Sequence, residues 1–321
     1  MGGKILSIII PSYNVSKYID DVLPSYIEEK LFPLMDIILI DDGATDDTQD
    51  KVLPYIKKYP GYFHFYHKDN GGHGSVINYG VHNIVKTKYF KVIDGDDWVY
   101  PKALLQLAEY LTSSDEDLII SDCSYEYKDH QSISYGIRKT NGLFNLRIHN
   151  ITFKTKIFKD HNIFVREKVF YEDSQYVLYP LEYVRTIKYL PGVVARYRQD
   201  EPSQSVNPQV QLRRKEQYEI VSFDLLEYVN KVYNDNSVRN DLKKFILDSV
   251  TRIVFGAFEL NWSYSLKTKE AIQNCRKINK VYKKNYIIYK QLVHNYKRFR
   301  QMRFANFNGI RFARLFHRAH Q

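Results

Sequence analysis

The chain has 321 residues, 44% of them hydrophobic, enough for one large domain or two modest ones with a sizeable core. Its two cysteines, Cys123 and Cys275, exclude a disulfide framework and match no cysteine metal motif, which fits a reducing cytoplasm. The formal charge of +10 is concentrated: residues 275–321 carry 13 Lys and Arg and no Asp or Glu, leaving 34 basic and 37 acidic groups in the rest.

In chain order, residues 5–10 form a β-branched run ending at Pro11, the pattern of a buried strand. The run is too short for a leader peptide and is interrupted by Ser7; position 6 is Leu6 where a myristoylation motif after Gly2 wants Ser or Thr. Tyr18, Ile19, Val22, Leu23, Tyr26 and Ile27 recur on one helical face, which Pro24 kinks or shortens. Residues 37–40 predict a second buried strand, followed by Asp41, Asp42 and Gly43. Thr45, Asp46 and Asp47 are capping candidates for a helix over 48–58. Phe63 and Phe65 alternate with polar residues in a third strand, and a glycine-rich loop (Asn70, Gly71, Gly72, His73, Gly74) leads into a helix from about Ser75. Residues 89–93 predict a fourth strand closed by Asp94, Gly95, Asp96 and Asp97. A further helix starts near Pro101, and 118–120 form a fifth strand. This alternation predicts an α/β fold with a doubly wound, mainly parallel sheet. Residues 121–210 read as mixed and irregular, and from about Gln211 the pattern is helical. No stretch approaches the ~18–20 apolar residues of a membrane span, so the expectation is a soluble protein, at most peripheral.

Ligands of open α/β sheets bind beyond the carboxyl ends of the strands. Three such places carry polar groups here: residues 11–14, Asp41–Asp42 and Asp94–Asp97. Either acidic cluster alone reads more readily as turns and caps; two at one rim make a stronger case for chemistry. The second cluster suits a hard divalent cation such as Mn2+ or Mg2+, which takes oxygen ligands and can neutralise a diphosphate. No Gly-rich loop ends in Lys-Ser/Thr, and no Gly-x-Gly-x-x-Gly follows the first strand, which argues against an ATPase or a nicotinamide enzyme. The 70–74 loop precedes a helix and can approach phosphates through backbone N–H groups.

Five motifs in series then carry a resemblance. Ser-Ile-Ile-Ile-Pro-Ser-Tyr-Asn at 7–14, Ile-Asp-Asp-Gly-Ala-Thr-Asp-Asp-Thr at 40–48, Asn-Gly-Gly-His-Gly at 70–74, Val-Ile-Asp-Gly-Asp-Asp-Trp at 92–98 and Phe-Tyr-Glu-Asp-Ser at 170–174 resemble the family 2 glycosyltransferases of GT-A fold. A weaker likeness extends to Tyr197-Arg198 with Ser203 and Ser205. The resemblance implies that Pro11, Tyr13 and Asp42 flank the base and ribose of a nucleotide sugar, in this family usually a UDP-sugar. It implies donor contacts from Asn70 and Gly71, Asp94 near ribose and sugar, Asp96 on the metal, and Asp173 as the general base. Arg198 is a diphosphate contact or an ordinary surface ion pair. His73 reads as a local hydrogen-bonding residue, with a donor-phosphate contact as the alternative; Trp98 reads as core or wall; His149 and His161 receive no role. One departure is Ile77, which stands where many relatives place an Arg before Asn78. No Gln-x-x-Arg-Trp sequence of processive synthases is present.

The implied organisation is a GT-A domain over 1–210, with 1–100 holding the donor and 101–210 the acceptor side and base, and a helical basic region over 211–321. The expected reaction is inverting, metal-dependent and non-processive, on a hydroxyl of a lipid-linked or cell-surface glycan. The tail 275–321 combines its charge with Tyr286, Tyr289, Phe299, Phe304, Phe307, Phe312 and Phe316, a composition that suits an anionic membrane surface or a solvated helical face. Nucleic acid is a lesser expectation and an oligomer remains open. The competing readings are a nucleotidyltransferase and a non-catalytic saccharide- or nucleic-acid-binding protein.

Overall fold

The computed structural model describes residues 3–127, 132–135, 146–199, 207–263 and 267–311. Ser203, Ser205, Phe312 and Phe316 lie outside them. The chain divides into two compact units, Met1–Glu201 and Pro202–Gln321.

The first unit is built on a nine-stranded sheet: β1 (Leu6–Ser12), β2 (Met35–Asp41), β3 (Phe63–His67), β4 (Tyr89–Val92), β5 (Trp98–Val99), β6 (Leu118–Glu126), β7 (Ser132–Tyr135), β8 (Ile151–Lys154) and β9 (Ile187–Arg198). The order is β3-β2-β1-β4-β8-β6-β9-β5, with β7 beside β6. Strands β3-β2-β1-β4 and β6-β9 pair in parallel; β8, β7 and β5 run antiparallel to their neighbours. The sheet is therefore mixed but mainly parallel.

Every residue of β1 is buried, as a central strand covered on both faces requires. Leu6, Ile8 and Ile10 join Ile37 and Leu39 in a core with helix α1 (Ile19–Val22) and with helix α4 (Pro101–Ser113) through Leu104, Leu107 and Leu111. Ile9 and Ile40 face the opposite side, where they meet Gly80; a Cβ there would lie 2.9 Å from each side chain. Helix α2 (Thr48–Lys58) has the bounds its caps predict. The helical stretch over residues 18–27 is shortened at Pro24 as expected, to α1 flanked by short turns, because Pro24 has no N–H to donate into it.

Helix α3 (His73–Tyr79) starts at the glycine loop. α5 (Thr155–Asp160) and α6 (Asp173–Leu178) fall in the stretch whose pattern is irregular in sequence. That stretch also holds β9, a 12-residue strand whose half-exposed residues hide its period. The second unit is helical: α7 (Pro208–Arg213), α8 (Lys215–Asn234), α9 (Asn240–Ser263), α10 (Thr268–Tyr282), α11 (Tyr286–Asn295) and α12 (Lys297–Phe307). Its centre is Phe258, ringed by Trp262, Tyr282, Phe299 and Phe307. Two tail aromatics, Phe299 and Phe307, are thus core, while Tyr286 (73%) and Phe304 (67%) are exposed. No described helix is long and apolar enough to cross a membrane.

Candidate active site

The polar groups singled out from sequence gather at the carboxyl ends of β1, β2 and β4. Asp42, just past β2, is buried and organises the glycine loop. Its Oδ1 accepts from Lys68 Nζ at 2.7 Å and Gly71 N at 2.9 Å, and its Oδ2 accepts from Gly72 N at 2.7 Å. The Asn70 amide donates to the Asp42 carbonyl at 2.8 Å. Gly72 has φ +82°, which favours glycine, and a Cβ on Gly74 would overlap the Arg166 carbonyl. The loop is thereby fixed against residues 166–172: Lys168 N donates to Gly71 O at 2.8 Å. Asn78, the residue after Ile77, holds the same segment through Val165 and Glu167.

Pro11 is buried with its carbonyl against Gly95, where a Cβ would come within 2.6 Å; Tyr13, 52% exposed, stands outward at the rim. Asp94 and Asp97 follow β4. Asp97 is fully buried; its Oδ1 accepts from Arg198 N at 2.8 Å, and its Oδ2 has no partner. Facing that oxygen at 3.6 Å is His149 Nδ1, also buried and without a partner. Burial first, then the charges of Asp96 and Asp94, push the Asp97 carboxyl well above the usual range. Burial holds His149 down at about 4, so its imidazole is neutral near pH 7 and a nitrogen lone pair is available. The turn that carries His149 is held by Lys91 of β4, a wholly buried amine that donates to His149 O at 2.7 Å and Ile151 O at 3.2 Å. Burial lowers that amine to about 7.

One ligand atom each from Asp94, Asp97 and His149 lie within 4.8 Å of one another. Two unpartnered buried atoms facing each other, one of them a carboxylate oxygen, fit a bound cation that would satisfy both. A set with one imidazole and two carboxylates moves preference from Mg2+ towards a divalent transition ion. Asp96 is half-buried and is not one of the three; its carbonyl accepts from Arg198 Nε at 2.8 Å. The Arg198 guanidinium lies between Trp98 and Tyr18, 4.4 and 4.7 Å from the ring centres, and its Nη2 is 3.6 Å from Oδ2 of exposed Asp21, so the ion pair expected as the alternative is present alongside the stacking.

His73 is the centre of a second cluster. Its Nδ1 meets Glu172 Oε1 at 2.6 Å and its Nε2 meets Asp94 Oδ1 at 3.0 Å. Burial opposes its charging, but the two carboxylates outweigh that and hold it well above its ordinary pKa, as two N–H donors require. In return, although burial works against its charge, His73 keeps Asp94 below the usual range. Asp173 opens α6 next to Glu172. It keeps an exposed face, but protein encloses the rest, and that enclosure with the Glu172 charge raises its carboxyl to about 6.

Sequence reasoning passed over His149, Lys91, Glu172 and the central place of His73. For Asp97 and Glu172 the signal was present, since both stand inside quoted motifs. His149 and Lys91 meet only through the antiparallel pairing of β4 with β8.

Comparison with known proteins bears on the family and the fold. The family described as Glycosyl transferase family 2 matches residues 7–173. An uncharacterized glycosyltransferase of Rickettsia typhi is 34% identical over 132 residues, 41% of this chain and 40% of that protein. One from Mycoplasma pneumoniae is 27% identical over 213 residues, 63% of this chain and 70% of its own. Among solved structures, Staphylococcus aureus TarS 1–349 in complex with UDP-GlcNAc superposes with a TM-score of 0.71 at 17% identity, covering 99% of this chain and 92% of that one. The mannosyltransferase PcManGT of Pyrobaculum calidifontis, in complex with GDP-Man and Mn2+, gives 0.52 at 11% identity, covering 99% and 88%. At these identities the structures show the fold alone. The Rickettsia match spans two fifths of that protein's length.

Proposed function

The chain belongs to glycosyltransferase family 2, and from that premise we propose that it moves a sugar from a nucleotide sugar, a UDP-sugar, to an acceptor hydroxyl with inversion and without processive synthesis. The observation that carries this reading is the rim after β4, where atoms of Asp97 and His149 without hydrogen-bond partners stand within reach of Asp94, which His73 links to Glu172, the neighbour of Asp173.

Asp173 takes the proton of the attacking hydroxyl. Its raised carboxyl makes it a stronger base than a free aspartate while leaving it ionised above about pH 6. The hydroxyl oxygen bonds to the anomeric carbon as the bond to the diphosphate oxygen breaks on the opposite face, which inverts the configuration. Asp94, Asp97 and His149 would hold Mn2+, or Mg2+ less readily, and that ion would supply charge to neutralise the leaving diphosphate. Asp96 stays beside this set as the acid that the family resemblance assigns to the metal. His73 is a positioning residue: its two N–H groups tie Glu172, neighbour of the base, to Asp94. Pro11, Tyr13, Asn70 and Gly71 line the donor side. Asp42 acts there through the loop it holds, and Arg198 brings a stacked cation towards the diphosphate.

The acceptor is a lipid-linked or cell-surface glycan. The tail contributes contact with an anionic membrane surface through its basic groups and exposed Tyr286 and Phe304. The test is release of nucleoside diphosphate from a panel of sugar nucleotides with Mn2+ and then with excess EDTA. Slow cleavage of one donor, abolished by EDTA, supports the reading; every donor intact in both conditions, with a membrane acceptor fraction present, overturns it.

A further inference from the structure

Of the two residues that end β9, Arg198 has a place in the transfer reaction and Tyr197 has none. Side chains alternate along a strand, so neighbours point to opposite faces. Arg196 and Arg198, two residues apart, share one face and pack against Trp98, 4.9 and 4.4 Å from its ring centre. Tyr197 turns the other way and stacks on the His149 imidazole, with ring centres 4.2 Å apart and planes 29° from parallel. The Tyr197 ring is itself backed by Tyr125, its partner in the β6–β9 pairing, which meets it edge-on at 5.5 Å and 89°. Arg147 donates to the Tyr125 hydroxyl, so the stack under His149 rests on a supported layer.

The backbone and the ring of His149 are fixed by different groups. Lys91 donates to the carbonyls of His149 and Ile151, and Arg147 and Asn150 close the turn: Asn150 N donates to Arg147 O at 3.1 Å, and Arg147 N to Asn150 Oδ1 at 2.9 Å. Those bonds place the Cα but leave the imidazole its broad χ2 torsion. A ligating imidazole is ordinarily oriented by a hydrogen bond. Here Nδ1 has no hydrogen-bond partner, and the face-to-face contact with Tyr197 sets the ring plane instead. In that plane Nδ1 faces Asp97 Oδ2 at 3.6 Å. The nitrogen lone pair lies in the plane of the ring, so whatever sets the plane sets the line along which an ion is met. We propose that Tyr197 is a positioning residue of the cation site after β4, its ring holding the His149 imidazole in the plane that ligation needs. The inference rests on the reading that Asp94, Asp97 and His149 hold the cation. It asks for the flat ring and not for the phenol hydroxyl, so Phe should serve in place of Tyr and an aliphatic side chain should not.

The test titrates Mn2+ into the full chain in the presence of UDP and reads free Mn2+ from its EPR signal, against a blank of UDP alone. It compares wild type, Tyr197→Leu, Tyr197→Phe, His149→Gln and the double variant of Tyr197→Leu with His149→Gln. Tyr197→Leu should raise the Mn2+ Kd about tenfold, the lower end of what orienting partners contribute, and Tyr197→Phe should stay within about twofold of wild type. In the His149→Gln background the Leu substitution should cost less than about twofold, because the ring it orients is gone. Should Tyr197→Leu fail to fold by circular dichroism, Tyr197→Met takes its place in both backgrounds. Three results would overturn the inference alone: an unchanged Kd in Tyr197→Leu, a loss in Tyr197→Phe equal to that in Tyr197→Leu, or the same loss in both backgrounds, as general loosening of the sheet would give. A wild type that takes up no Mn2+ beyond the blank overturns the cation reading, and this inference with it.

Discussion

Two acidic rims stand side by side on one sheet, and they spend their charge differently. Past β2, the Asp42 carboxylate is met at both oxygens by loop donors: Lys68 and Gly71 at one, Gly72 at the other. Past β4, Asp97 has one oxygen satisfied by Arg198 N and one facing an equally unpartnered imidazole nitrogen. The first arrangement is complete and builds a loop; the second leaves two buried atoms without hydrogen-bond partners, the pair to which the proposed function assigns a cation. A fold tolerates such local cost where function needs it. The difference teaches that carboxylates at the same rim divide into holders and reactors by what already satisfies them, not by motif.

The comparison can be broken first at the base. Asp173→Asn should lower kcat about 10²–10⁴-fold, the usual contribution of a general base, with UDP affinity unchanged in a binding titration. In the wild type, kcat/KM should fall about tenfold per unit below pH 6, because the carboxyl raised to about 6 must be ionised to accept a proton. The sign for stability is opposite. The folded state holds that proton more tightly than the unfolded chain, so stability falls as pH rises from about 4 to 6. Asp173→Asn should therefore melt at a slightly higher temperature than wild type at pH 7, and a lower one would contradict the assigned shift.

Next come the incomplete atoms. His149→Gln should weaken Mn2+-supported binding of UDP by at least the ~10–100-fold that disturbed outer-sphere partners cost. Asp97→Asn should do the same while raising thermal stability, since its amide replaces an unpartnered oxygen with a donor to His149 Nδ1. A melting temperature lowered by several degrees would show that Asp97 belongs with Asp42 as a holder.

These two rims also mark how far the sequence could be read. β1 and β2 were legible because a buried parallel strand carries a run of Ile and Leu, β4 from a short mostly apolar run before Asp-Gly, and both rims because Asp-Asp and Asp-Gly follow these strands. His149 was not, since its turn precedes β8, and only the β4–β8 pairing carries it beneath Asp97. Lys91 reads as one polar residue in a short strand, with nothing in its neighbours to announce total burial. Over residues 18–27 the sequence showed both the helical spacing and its interruption, since Pro24 was the residue expected to shorten the helix and the regular helix ends at Val22. In the tail, composition could not separate Phe299 and Phe307, packed on Phe258, from exposed Tyr286 and Phe304.

On the holder side, Asp42→Ala removes bonds from Lys68, Gly71 and Gly72 and should cost about 2–4 kcal/mol in a denaturant titration. Donor binding should weaken with the loop. The smallest effect belongs to the tail: Tyr286→Ser with Phe304→Ser should reduce flotation with anionic vesicles a few-fold and leave donor cleavage untouched. Unchanged flotation would leave those aromatics outside any membrane contact.

The most direct measurement is a calorimetric titration of UDP into wild type and Asp97→Asn, each with Mn2+ and with EDTA. The account predicts that Mn2+ tightens binding about tenfold or more in wild type and has no effect in Asp97→Asn. Equal affinity with Mn2+ and with EDTA in the wild type would contradict a cation-completed donor site after β4.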